Sequence, residues 1–293
     1  MTPGPEAAPV VAIVCGGGGF PLAVARAAQA SGRRVVMLAL RGVADPGVEM
    51  FPHEWVKLGE VGRFFRILAE REAKELCLVG AFTRPELSEL SLDFGAIKRL
   101  PDIARMLRGG DDHGLRALAA FFEGEGYALR GVHEIAPDLL TPAGVLGRRK
   151  PSAAALDDAR WGLACCAALS PFDVGQAAVV VNGRIVAVEA AEGTDAMLER
   201  VARLRAQGRL RLKGAAGVLV KAPKRGQDLR LDLPAAGVDT IQRAAAAGLE
   251  GVALAAGQTL TLDRDIMIAR ADAAGLFLIG VEVEVAEGAG AGA

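Results

Sequence analysis

A chain of 293 residues, 52% hydrophobic and 24% charged, has ample apolar material for about two packed domains, and it excludes wholesale disorder. Glycine is abundant, at 37 residues, but shows no G-X-Y period, so collagen is excluded. With 34 cations against 35 acids the net charge is −1, which argues against a nucleic-acid binder driven by bulk charge.

The opening MTPGPEAAPV has no basic n-region, and no uncharged apolar run reaches the ~18 residues of a membrane span. Any action on a membrane lipid is therefore expected from the water side. Cys15, Cys77, Cys165 and Cys166 form no C-x-x-C pair, and with three histidines they give poor support for zinc. They fit a reducing, cytoplasmic compartment.

In chain order, Val10–Cys15 reads as a buried strand, followed by Gly16–Gly19. A helix opens at Phe20-Pro21 and runs to about Ala30, with proline tolerable in its first turn. Val35–Leu40 is a second strand, Val61–Ala73 a helix, and Glu75–Ala81 contains a third strand. This β-α-β-α-β rhythm argues for a parallel sheet covered by helices. Leu115, Leu118, Ala119 and Phe122 follow helical spacing. Gly131–Ile135 reads as a strand.

A Thr-Pro-Ala-Gly turn at 141–144 places the domain boundary near residue 146: an N-terminal domain over 1–146, a second over 147–285, and a flexible tail over 286–293. The second half opens with a helix over Ala153–Ala168. Asn182-Gly183 between β-branched runs marks a type I′ hairpin. Thr194 is placed to cap a helix over Asp195–Gln207. Short strands follow at Val218–Lys221, Val252–Ala255, Thr259–Leu262 and Leu276–Val281. The fold class is α/β: a Rossmann-like parallel-sheet domain, then a mixed α/β domain.

Four constellations could carry chemistry. The glycine run after the first strand suits a phosphate at a helix N-terminus, or is a plain tight turn. Its dinucleotide fingerprint is incomplete, because Pro21 stands at the third glycine position and Arg41 ends the second strand. Asp111-Asp112 could cap the next helix or bind Mg²⁺.

From Asp228 to Pro234 the chain alternates, Asp228, Arg230 and Asp232 on one face and leucines on the other, as a strand would. In such a strand the two aspartates lie ~13 Å apart, too far to share a metal, so Asp232 would borrow a carboxylate from Asp111-Asp112. Glu189 to Asp195 is either a capping segment or a polar strand-to-helix loop. The basic set from Arg200 to Lys213 reads as a solvated face, with peripheral membrane contact as the livelier alternative. His53, His113 and His133 have no partners at catalytic spacing.

Together, GGGGFP, the GDD at Gly110–Asp112, GQAAVVVNGRIVAVEAAEGTDAML from Gly175 and KAPKRGQDLRLDLP from Lys221 resemble the LpxI family, the UDP-2,3-diacylglucosamine diphosphatases of lipid A biosynthesis. The resemblance implies an Mg²⁺-dependent hydrolase that splits UDP-2,3-diacylglucosamine into UMP and 2,3-diacylglucosamine 1-phosphate (lipid X). Water would attack the phosphorus on the sugar side. It implies two α/β domains with the active site in the interdomain cleft, and a homodimer. An enzyme that reaches a membrane lipid from the water side is expected to be cytoplasmic, with peripheral contact to the inner membrane as an alternative to a fully soluble one.

The family's key aspartate falls on Asp232, with Asp228, Lys221, Lys224 and Arg230 completing the catalytic set. Asp232, Asp111 and Asp112 are the metal candidates. Gly17, Gly18, Phe20, Pro21, Arg84, Gln176, Glu189, Gly193, Thr194 and Asp195 are the substrate-binding candidates. Arg225 stands where the family motif continues with proline, and His113-Gly114-Leu115 replaces the usual Ala-Leu-Leu. Two rivals are a nucleotide- or dinucleotide-binding oxidoreductase and a non-catalytic lipid or nucleotide-sugar carrier.

Overall fold

The computed structural model describes residues 9–82, 93–101 and 111–283, with only the backbone described at 111–113. Arg84, Gly110 and the tail over 286–293 lie outside the described residues. Those up to Leu139, together with Gln227–Leu233, form one compact unit; Leu140–Gly226 and those from Pro234 onward form a second.

The first unit is built on a parallel sheet of β1 (Val10–Cys15), β2 (Arg34–Leu40), β3 (His53–Val56), β4 (Glu75–Val79) and β5 (Ala128–Leu129), in the order β3-β2-β1-β4-β5. All six residues of β1 are buried, as a strand covered on both faces requires. Its covering helices include α1 (Phe20–Ala30) and α2 (Val61–Glu70). α3 (Phe94–Lys98) is short, and α4 spans Asp111–Gly124. An aromatic cluster of Phe64, Phe65, Phe121, Phe122 and Tyr127 joins α2 to α4, with ring centroids 5.4–6.2 Å apart. The strand order reverses between β1 and β4, and open sheets of this kind bind ligands at the carboxyl ends of the strands beside that reversal.

The segment over 131–135 is not a strand. β5 ends at Leu129, and Val132–Ile135 is one helical turn, α5. Glu134 accepts the Gly131 N–H at 2.7 Å and pairs with Arg130 at 3.1 Å, ties that close a helix turn and that a strand could not make.

The second unit carries a mixed sheet in the order β6-β13-β11-β9-β7-β8. Its strands are β6 (Gly144–Val145), β7 (Ala177–Val181), β8 (Arg184–Val188), β9 (Val218–Lys221), β11 (Gly251–Ala255) and β13 (Phe277–Val281). β9, β11 and β13 run parallel, while β7 is antiparallel to both β8 and β9. β10 (Ala235–Ala236) and β12 (Leu260–Thr261) form a separate pair.

Alternate residues face opposite layers. Val180, Val218 and Val220 meet α6 (Ala153–Leu169), and Val179, Leu219 and Val252 meet a core shared with Met197, Ile241 and Met267. Those three come from α7 (Gly193–Ala206), α8 (Val238–Ala246) and α9 (Arg264–Ala273). Gly162 lets α6 approach the sheet: a Cβ there would lie 2.3 Å from Val220.

The Asn182-Gly183 hairpin forms as read, both residues with positive φ (51° and 75°). Its two N–H groups are taken by the buried Asp158 carboxylate of α6, at 2.8 and 2.6 Å. α7 begins at Gly193 after Glu192, so Thr194 lies inside its first turn and is not the cap. Asp228–Leu233 is not a strand but a turn, in which the Leu231 and Asp232 N–H groups both point to the Asp228 carbonyl, at 3.0 and 3.4 Å.

Candidate functional site

At the sheet reversal of the first unit, the loops after β1 and β4 clasp each other through the backbone. The Gly16 N–H donates to the Val79 carbonyl, and Gly17 and Ala81 exchange hydrogen bonds of 2.8 and 3.0 Å. A Cβ on Gly16 would lie 2.5 Å from the Ala81 carbonyl oxygen, and one on Gly80, where φ is +102°, would lie 2.8 Å from that of Gly17. These glycines serve the approach of two loops. Gly18 (φ +86°) and Gly19 face open space and lead into α1. Pro21, at the missing third glycine, is buried in the first turn of α1 and packs on Gly80. Phe20 is half-buried beside it.

In the second unit, β8 and the parallel β9 end, and β7 begins, along one edge of the sheet. Lys221, the last residue of β9, is buried, and its ammonium donates to the Thr194 hydroxyl at 2.8 Å. That hydroxyl donates to Glu189 Oε1 at 2.6 Å, and Glu189 Oε2 accepts the Gln176 N–H at 2.8 Å. A cation, a hydroxyl and a carboxylate thus form a directed chain across three strand ends. Gly175 makes room for it, since a Cβ there would lie 2.5 Å from Glu189 Cγ.

Farther along the same loop, the Lys224 ammonium donates to Asp173, and the Arg225 N–H donates to the Ser170 hydroxyl at 2.7 Å. Gly193, at φ +79°, starts α7 with nothing within 4 Å of its Cβ position. Asp195 is directed elsewhere, to Arg243 on α8 at 3.2 Å.

The Asp228–Asp232 turn belongs to the first unit, and Leu231 is buried in that unit's core. The Arg230 side chain grips both oxygens of Asp228, at 3.0 and 2.7 Å, and reaches Glu123 of α4 at 2.7 Å. The Arg230 guanidinium holds the Asp228 carboxyl below the usual carboxylate range. Asp232 is held differently: the neutral Gln227 amide donates to its Oδ2 at 2.7 Å and to its carbonyl at 3.2 Å. The His133 ring lies against Gly131 near the Arg230 backbone.

Asp111 and Asp112 occupy the first turn of α4, and their side chains lie outside the described residues. Among the described residues, no group of three or more His, Cys, Asp or Glu could hold a metal. Mg²⁺ commonly uses only one or two carboxylates, completing its shell with phosphate oxygens and water, so the Asp232 carboxylate is chemically suited as one ligand. Burial pushes the Cys15 and Cys166 thiols up to about 12 and raises Cys77 and Cys165 as well, away from the thiolate form that a nucleophile uses.

The sequence motifs therefore bring Gln176, Glu189, Thr194 and Lys221 together, and separately Asp228, Arg230 and Asp232. The candidates do not include Asp173, which holds Lys224, Ser170, which holds the Arg225 N–H, Glu123, which holds Arg230, or Gln227, which donates to Asp232. Of these only Gln227 stands inside a sequence motif, Lys221–Pro234.

Family models describe the chain almost end to end, the LpxI N-terminal domain over residues 10–139 and the LpxI C-terminal domain over 142–279. A protein of Caulobacter vibrioides named UDP-2,3-diacylglucosamine pyrophosphatase LpxI is 41% identical over 270 residues, 92% of this chain and 96% of that protein. Among solved structures, glycinamide-RNase-transformylase T from Mycobacterium tuberculosis matches at 16% identity over 63% of this chain and 45% of that one. The TM-score of that match is 0.24.

Proposed function

The chain belongs to the LpxI family, and on that premise we propose that it hydrolyses the pyrophosphate bond of UDP-2,3-diacylglucosamine, releasing UMP and 2,3-diacylglucosamine 1-phosphate. The identity to the Caulobacter protein over nearly its whole length carries this reading. In the reaction, a water oxygen forms a bond to the phosphorus on the sugar side, the bridging P–O bond breaks, and UMP leaves. Such a step needs charge neutralised at the phosphoryl oxygens and a water held for attack.

The residues of this chain divide those tasks. Lys221, aligned by Thr194 and Glu189, offers a fixed ammonium to phosphate oxygens, and Lys224 offers a second. Arg230, gripped by Asp228 and Glu123, fixes the turn that presents Asp232. Asp232 orients the water or serves as a metal ligand. Mg²⁺ would be held by Asp232 with Asp111 or Asp112, and when bound it would add positive charge at the phosphate oxygens. The Gly17–Pro21 and Gln176–Thr194 segments are the proposed contacts to the rest of the substrate.

The test is incubation of the protein with UDP-2,3-diacylglucosamine, with Mg²⁺ or with chelator, following UMP and the lipid phosphate. Release of both products, abolished by chelator and restored by Mg²⁺, is expected. Binding of the lipid nucleotide with no UMP released would make the protein a carrier and overturn the proposal.

A further inference from the structure

Nine of the chain's 34 lysines and arginines, and none of its 35 acids, lie between Arg200 and Gln227. This local excess is hidden by a net charge of −1. Some of these cations are internal ties. Arg200 pairs with Glu192 at 3.0 Å, and Arg205 donates to the Gly248 and Gly214 carbonyls at 2.7 and 2.6 Å, tying the end of α7 to the loops before β9 and after α8.

Arg203, Arg209, Arg211 and Lys213 are different. All four are exposed, and among the described residues none of them takes part in an ion pair. Leu210 and Leu212, which alternate with the last three, pack against the core of the second unit. The apolar positions of this loop are thus spent inward, and its cations stand in water.

Four exposed cations within eleven residues, in a stretch that carries no acid, make a locally positive surface that a polyanionic surface would attract. We propose that Arg203, Arg209, Arg211 and Lys213 form a docking surface for an anionic lipid bilayer. No aromatic residue occurs between Arg200 and Gln227, so the stretch has no platform on which nucleic-acid bases could stack. It has no exposed apolar wedge either, so binding is shallow, reversible and salt-sensitive. The choice of a bilayer over other polyanions rests on the proposed substrate, a diacylated lipid. The patch would bring the enzyme to the surface in which that substrate lies.

The experiment is co-sedimentation of the full chain with vesicles of phosphatidylcholine alone or mixed with phosphatidylglycerol, over a salt series. Binding to the anionic vesicles only, reversed by salt, is expected. Each basic residue near such a surface contributes about fivefold to partitioning. The combined variant Arg203→Gln, Arg209→Gln, Arg211→Gln and Lys213→Gln should therefore partition at least about tenfold more weakly, with an unchanged melting temperature. The matching variant with lysine at the three arginines should bind as the native protein does.

The glutamine variant should release UMP normally from substrate in detergent micelles and slowly from substrate in anionic vesicles. Equal binding to neutral vesicles, unchanged partitioning of the glutamine variant, or tighter retention on a labelled RNA oligonucleotide than on vesicles would overturn the proposal. If the native protein released no UMP from micelles, the enzymatic reading would fail, and the vesicle measurement would still decide the surface.

Discussion

The fourteen residues from Lys221 to Pro234 read as one motif, yet they are anchored in two ways. The lysine part starts at the end of a central strand of the second unit, and each of its ammonium groups is aimed by an acceptor: Lys221 by Thr194, Lys224 by Asp173. The aspartate part is a turn of the first unit, pinned by burial of Leu231 and closed by its own Asp228–Arg230 pair. The difference separates two kinds of acidic residue at similar spacing. Asp228 is committed to an arginine and shapes the turn. Asp232 accepts the neutral Gln227 amide at 2.7 Å, and its carboxylate is chemically suited to serve a cation or a water.

The largest expected effect tests that separation directly. Asp232→Asn should lower UMP release about a thousandfold, the scale of losing a group that assists proton transfer or binds charge in the transition state, with an unchanged circular dichroism spectrum. Asp228→Asn should cost only about tenfold in activity and should also lower thermal stability, because the charge-assisted grip of Arg230 is weakened. Equal losses in the two variants would break the distinction.

Next comes the lysine part. Lys221→Met should lower kcat about a hundredfold, the magnitude seen when one oriented charge is removed from a phosphoryl or oxyanion site. Thr194→Val should cost about tenfold in kcat with little change in KM, and Thr194→Ser should restore it by returning the hydroxyl. If valine and serine behaved alike, the chain from Glu189 to Lys221 would be packing and nothing more. In the aspartate part, Leu231→Ala should destabilise the first unit by about 2–3 kcal/mol, read as a lowered midpoint in urea.

Much of the fold was legible because its strands are short, β-branched and bounded by glycine. β1, β2, β4, the hairpin at Asn182-Gly183 and strands β9, β11 and β13 all follow from local pattern. What was not legible depends on side chains reaching across the sequence. Gly131–Ile135 looks like a strand until Glu134 folds back on the Gly131 N–H. The Asp228–Pro234 alternation mimics a strand because Leu231 must be buried and the aspartates must not, a requirement that a turn meets equally well. Thr194 sits where a cap would, but a buried lysine and a carboxylate compete for its hydroxyl and win. The glycine run was read as a phosphate loop or a tight turn. For Gly16 the turn explanation suffices, since the Ala81 carbonyl leaves no room for a side chain; for Gly18 and Gly19 no such packing reason exists.

The smallest effect contrasts both motif parts with a carboxylate that has a purely structural task. Asp93 accepts the N–H groups of Gly62 and Arg63 at the start of α2, each at 3.1 Å, and that of Ala96 in α3 at 2.8 Å. One side chain thus serves two helix N-termini, where orphan donors and the helix dipole both favour a negative charge. Burial pushes the Asp93 carboxyl up, but the backbone donors outweigh it and hold it below the usual carboxylate range. Its stabilising effect is therefore full above the unfolded value of about 4 and is lost as pH falls through the lower folded value. Asp93→Ala should cost about 1–2 kcal/mol near neutral pH. The gap between native and variant melting temperatures should close on acidification below about pH 4. UMP release per folded molecule should be unaffected at neutral pH. A gap that stayed constant down to the acid limit would mean that Asp93 acts through its shape and not its charge.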